Sequence, residues 1–73
     1  MDEDDVVNAL VVMRWHQLKK QKEIADAMGI SRSHLSEIEN KKKALSMENF
    51  FKYCVALKMK PEKIIAYARR RYE

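Results

Sequence analysis

Arg32, Ser33, Ser36, Glu37 and Asn40 place a guanidinium, two hydroxyls, a carboxylate and an amide in the stretch SRSHLSEIEN, residues 31–40. On a helix advancing about 100° per residue these five share one open arc, roughly 140° wide. Leu35 and Ile38 fall on the far side, with His34 between the two faces. The chemistry on offer is recognition by hydrogen bonds: a guanidinium donates in parallel pairs, a carboxylate accepts and a hydroxyl does both. A helix held by so narrow an apolar seam, with so wide a polar arc standing free, is built to be read against something.

Other chemistry finds little support. His16 and His34 are the two histidines, and neither has a metal-ligand spacing with Cys54 or an acid pair. Cys54 lies inside an apolar pattern and reads as a small core residue rather than a nucleophile. One glycine cannot form a phosphate-cradling loop. The expectation is a chain that is not an enzyme and takes no metal or cofactor.

The elements that must hold the polar arc are short amphipathic helices. A first helix is predicted from about Asp5 to Lys19, with acids at its start to suit the helix dipole and Val7, Leu10, Val11, Trp15 and Leu18 on one side. A second runs from about Gln21 to Met28, burying Ile24, Ala25 and Met28, and Gly29 supplies the left-handed residue that ends it. Ser31 caps a third helix reaching Asn40. NKKKALS is a connection, and Ser46 caps a fourth helix to about Lys58 with a core stripe of Met47, Phe50, Phe51, Cys54 and Leu57. Met59 closes the core beside it. Pro61 suits the first turn of a fifth helix carrying Ile64 and Ile65 and ending in ARRRYE. Tyr53, Val55 and Trp15 belong either to the core margin or to a partner surface, with burial favoured for Trp15.

Composition agrees with an all-α fold of five helices. The chain has 73 residues, 47% hydrophobic and 36% charged, with one glycine and one proline. That is enough for one domain, residues 1–73, with an acidic segment at 1–4 and a tail at 66–73. No apolar run approaches the ~20 residues of a membrane span. The opening MDEDD is the opposite of a signal peptide's basic start. One cysteine excludes an internal disulfide, so a cytoplasmic protein is expected. The net charge of +4 is unevenly spread: −4 over residues 1–13, +1 over 14–40, +5 over 41–60 and +2 over 61–73. An acidic head with a basic centre and C-terminal half suggests a polyanion facing one side.

The frame around the polar helix narrows the choice. Ala25 is small enough for two helices to approach, Gly29 four residues later permits a tight turn, and Ile30 can plug the angle between them. Leu35 and Ile38 then pack back. This is the spacing of a helix-turn-helix, whose second helix enters the major groove of DNA. The sequence also resembles the phage repressor and Cro-like helix-turn-helix family, often called the XRE family, over about residues 6 to 65. QKEIADAMGISRSHLSEIEN carries the family's Gln, Ala, Gly, hydroxyl and Ile-Glu-Asn positions, and LSMENFFKYCVALKMKPEKI matches the following helix and the start of the next.

The resemblance implies a compact five-helix domain of the lambda-repressor-like type, with the helix-turn-helix at helices 2–3. It places Arg32, Ser33 and Glu37 at base-reading positions, with Ser36 a lesser candidate. It also implies an ion pair between Arg14 in the first helix and Glu39 at the end of the recognition helix. Gln21 at a helix N-terminus, Asn40 and Lys41, Lys42 and Lys43 are expected at DNA phosphates. A solvated turn is the alternative for the three lysines. RRR at Arg69–Arg71 suits a DNA contact, a dimer salt bridge or a solvated end equally. The chain departs from the family in four places. Lys20 and Lys19 replace a hydroxyl and an apolar residue before Gln21, and a shifted turn would give Leu18 that apolar place. Lys41 and Leu45 replace a common Gly and Pro.

The function expected is a sequence-specific double-stranded DNA-binding transcriptional regulator, a homodimeric repressor acting by occlusion on a palindromic operator. One short helix reads only about 4–5 base pairs, so useful specificity asks for two copies. Ile65, Ala68 and Tyr72, at spacings of three and four, place the expected dimer surface on helix 5 and the end of helix 4. The alternative is that Ile64 and Ile65 finish the monomer core and the tail frays. The alternatives are an antitoxin that neutralises a toxin protein and autoregulates its operon, and a controller-type activator touching RNA polymerase through the acidic head. RNA binding ranks third, because the basic face lacks the exposed aromatics that stack on single strands. The resemblance implies a bacterial or phage-infected cell, with the protein held at the nucleoid by DNA.

Overall fold

The computed structural model describes residues 1–72, which form five helices: α1 (Glu3–His16), α2 (Gln21–Met28), α3 (Arg32–Glu39), α4 (Met47–Leu57) and α5 (Pro61–Tyr72). Three of the five starts carry a side-chain cap. The Asp2 carboxylate accepts from the Asp5 amide while Asp5 accepts from the Asp2 amide, a reciprocal capping box. Ser31 Oγ accepts from His34 N and Ser46 Oγ from Asn49 N, both at 3.0 Å. The fold is the all-α, lambda-repressor-like one. α2 packs on α3 and α4, α1 packs on α3, α4 and α5, and α5 closes the bundle against α1 and α4.

One core joins these faces. Leu10, Ile24, Leu35, Tyr53, Leu57 and Ile64 are all buried to within 1% of full coverage, each large aliphatic contributing about 1.5–3 kcal/mol. Ile30, Met59 and Ile65 pack partly buried around it.

Four helices end in the same way. The residues after their C-termini, Leu18, Gly29, Lys41 and Lys58, have φ of 57°, 73°, 62° and 56°. At each, the following amide reaches back to the carbonyl five residues before it: Lys19 to Arg14, Ile30 to Ala25, Lys42 to Glu37 and Met59 to Cys54. This is the Schellman closure, which satisfies helical carbonyls that would otherwise be orphaned. Only one of the four positions is a glycine. At Lys41 a lysine adopts the left-handed conformation that the family's glycine would take.

The structure corrects several expectations. α1 stops at His16 rather than Lys19, and its inward line is Val7, Leu10 and Arg14. That line turns Trp15 and Leu18 outward, to 60% and 90% exposure. Leu18 therefore does not take the apolar place before Gln21. Instead, Lys19 Nζ donates to the Ala56 carbonyl at 3.1 Å and Gln17 Nε2 to the Leu57 carbonyl at 2.9 Å. Two polar side chains thus cap the end of α4, where a cation also suits the helix dipole. On α4 the buried residues are Phe50, Tyr53, Cys54, Ala56 and Leu57, so Met47 and Phe51 leave the expected core stripe for the surface. Ala68 is fully buried within its own chain, so it offers nothing to a partner; α5 uses Ile64 and Ala68 to cover the bundle.

Candidate nucleic-acid interface

The helix-turn-helix is set by residues at the α2–α3 junction. Ala25 is fully buried where the two helices meet, and Gly29 turns the chain. Ile30, partly buried against the core, fills the angle. Leu35 and Ile38 anchor α3 from beneath, at 0% and 1% exposure. The opposite side of α3 carries Arg32 and Ser33, both exposed, and Ser36 and Glu37, both half-buried. The residues of the polar arc therefore stand together on the face away from the core.

Beneath the arc lies a hydrogen-bonded hub centred on Glu39. Its Oε2 accepts from Arg14 Nε at 3.0 Å and from the Tyr53 hydroxyl at 2.7 Å. Its Oε1 accepts from Arg14 Nη2 at 2.8 Å and from Gln21 Nε2 at 2.9 Å. The remaining Arg14 nitrogen, Nη1, donates to the Lys19 carbonyl at 3.0 Å. The side chains of Arg14 and Glu39 are only 10% and 6% exposed. Burial opposes the charged guanidinium, yet the hydrogen bonds and attraction of Glu39 overcome it and raise the Arg14 pKa above its ordinary value. Burial first, and then the bond to Glu39, pushes the Tyr53 phenol well above its ordinary range. Among the described residues no buried side-chain nitrogen or oxygen lacks a partner.

The hub reaches the surface through Gln21. Its Oε1 accepts from Arg32 Nη1 at 3.3 Å while its Nε2 holds Glu39. Arg32 is thus steadied by Gln21 and not by Glu37, which instead lies 3.7 Å from Lys43 Nζ. Asn40 ends α3 and donates to the Ser36 carbonyl and hydroxyl. Lys41 Nζ reaches Asn8 of α1 at 2.6 Å, tying the lysine turn to the first helix. Lys41, Lys42 and Lys43 are all exposed beside the end of α3.

Tyr53, Gln17, Lys19 and Asn8 take parts that the sequence reading did not assign. Tyr53 did leave a signal. It lies three residues after Phe50 and four before Leu57, on a buried stripe where a phenol must find a hydrogen-bond partner. The two caps on α4 carry no comparable signal, because their acceptors are nearly forty residues away in the chain. Among the described residues no three His, Cys, Asp or Glu side chains gather to hold a metal ion, and no helix is long and apolar enough to cross a membrane.

Residues 14–64 match the helix-turn-helix family. The fold is similar to that of the clp gene regulator ClgR from C. glutamicum, with a TM-score of 0.87 and 25% identity, over 97% of this chain and 92% of that one. No curated protein matches the chain in sequence. With the family covering most of the chain and an exposed polar helix standing on an anchored turn, this protein belongs to the helix-turn-helix family and is a sequence-specific DNA-binding transcriptional regulator.

Proposed function

We propose that α3 lies in the major groove of an operator half-site, with Arg32, Ser33 and Glu37 at base edges and Ser36 in a lesser part. The observation that carries this reading is the support beneath Arg32: a recognition side chain held by Gln21, itself fixed by the buried Glu39. Arg32 suits the O6 and N7 acceptors of a guanine, and Glu37 suits a cytosine amino group. The backbone amide of Gln21 at the start of α2, Asn40 and Lys41 to Lys43 contact phosphates and fix the register. The molecule measures 31 Å along its longest axis, and half-sites one helical turn apart are about 34 Å from centre to centre. One copy per half-site, as a homodimer on a palindrome, fits that spacing.

The sign of control follows from where the operator lies. Covering a promoter represses. Binding beside one activates, and the exposed acids at the start of α1, Asp2, Glu3 and Asp4, supply a surface for RNA polymerase. The likeness to a gene regulator supports this second reading as well as it supports repression. An antitoxin use, in which a toxin protein occupies another face, is compatible with the same DNA contacts.

Selection of bound sequences from a random duplex pool tests the proposal and returns both half-site and spacing. Arg32→Ala is expected to cost about 1–3 kcal/mol on the selected site and to relax preference at one base pair. Equal losses on selected and random DNA would move Arg32 to the backbone. Transcription from a promoter carrying the selected site, with and without the protein, then gives the sign.

A further inference from the structure

The helix α4 has a second apolar face that its own chain leaves uncovered. Met47, Phe51 and Val55 are 68%, 48% and 75% exposed. At spacings of four they form one line about 12 Å long, while α2 and α5 pack α4 from other sides. Phe51 is braced by Phe50, their ring centroids 5.5 Å apart and tilted. Past Met47 the apolar surface continues into a cavity of about 180 Å³ lined by Glu3, Val6, Leu45, Phe50 and Ile65. Large apolar side chains that stand in line, rather than scattered, mark an interaction surface.

We infer that this face takes a second copy of the chain, α4 packing antiparallel on α4 across a twofold axis near Phe51. This rests on the homodimer reading above and names its surface. Charge decides both occupant and direction. Glu48 and Lys52 lie together on one flank of the line, paired with each other at 3.0 Å and exposed. In an antiparallel pair like flanks meet, so Glu48 of each copy comes beside Lys52 of the other. A parallel pair would set that flank against the side of α4 that is already buried. The same twofold stacks Phe51 on Phe51 once, across the axis, and Met47 on Val55 twice, as a closed isologous dimer requires. It also brings the exposed Lys58, beyond Val55, toward the end of the second copy where Glu3 borders the cavity. A one-helix stripe falls short of the ~800 Å² per partner of a standard interface. The cavity with Ile65 extends it, and the dimer expected is one of micromolar strength that a shared operator tightens.

Sedimentation equilibrium of the full chain without DNA tests the surface. The wild-type protein should dimerise reversibly, and Phe51→Glu should raise the dissociation constant by roughly 30-fold or more, with helicity and melting little changed. Glu48→Lys should weaken the dimer by about fivefold, and the double variant Glu48→Lys/Lys52→Glu should restore it to within about threefold. A wild-type chain still monomeric near ~1 mM, a dimeric Phe51→Glu, or a double variant no better than Glu48→Lys alone would overturn the proposal. Phe51→Glu should still bind a duplex carrying one half-site as well as wild type does. A wild-type chain that dimerises as described but selects no DNA sequence would overturn the operator reading and leave the dimer surface standing.

Discussion

Glu39 has about four lone-pair sites as a carboxylate, and Arg14, Gln21 and Tyr53 fill them with four donated hydrogen bonds. Its charge is therefore spent inside the protein and offers little repulsion to a DNA phosphate. A partly buried ion pair of this kind is costly to break from one side, since removing the cation leaves the carboxylate without its counter-charge. Arg14→Ala is expected to lower stability by about 3 kcal/mol, read from chemical denaturation. Tyr53→Phe removes one bond to a charged acceptor and should cost about 1.5 kcal/mol. The phenol also has a pH signature. Because its folded pKa is raised above the ordinary 10.0, its contribution is complete below pH 10 and is lost as pH rises beyond that. Tyr53→Phe should therefore flatten the alkaline fall in stability above pH 10. An unchanged slope would mean that other groups govern it.

At the scale of the element, the helix ends hold untapped stability. Leu18, Lys41 and Lys58 sit in the left-handed region with side chains attached, where a Cβ carries strain of about 1 kcal/mol. Leu18 is 90% exposed, so removing its side chain forfeits almost no burial. Leu18→Gly is expected to raise stability by about 0.5–1 kcal/mol, seen as a higher denaturation midpoint with an unchanged slope. The reverse change tests the same physics at the one glycine. A Cβ on Gly29 meets nothing within 4 Å, so Gly29→Ala should cost only the backbone strain, about 1 kcal/mol. A much larger loss would mean that the α2–α3 angle itself had shifted.

For the whole molecule, segments of opposite charge are neighbours, Glu3 accepting from the Leu45 amide just past the lysine turn. The acids of residues 2–5 lie at the start of α1, while the three lysines of residues 41–43 follow the end of α3. Lys41 is bound to Asn8 and Lys43 lies near Glu37, which leaves Lys42 as the cleanest probe of backbone contact. Lys42→Ala should weaken binding to specific and random duplexes alike and flatten the salt dependence by about one unit. An unchanged slope would return the lysines to a solvated turn.

Much of this arrangement is local, and so was legible in the chain. A cap needs a hydroxyl or carboxylate three residues before an amide, which Ser31 and Ser46 supply. A left-handed turn prefers Gly29, and the narrow seam of Leu35 and Ile38 leaves the rest of α3 outward. These relations span fewer than five residues, so the order of residues alone determined α2, α3 and the open polar arc. The rotation of α1 was not local. Trp15 is more apolar than Arg14, yet Arg14 faces inward because Glu39 and the Lys19 carbonyl wait for it there. Phe51 and Met47 look like core by type, but α2 and α5 cover only the other sides of α4, so the bundle shuts them out. Ala68 reads as surface on a tail helix, yet it is buried once α5 lies against α1. In each case apolar character measured only a side chain's preference for burial. Which preferences were met depended on which helices arrived to cover them, and that only the tertiary structure decided.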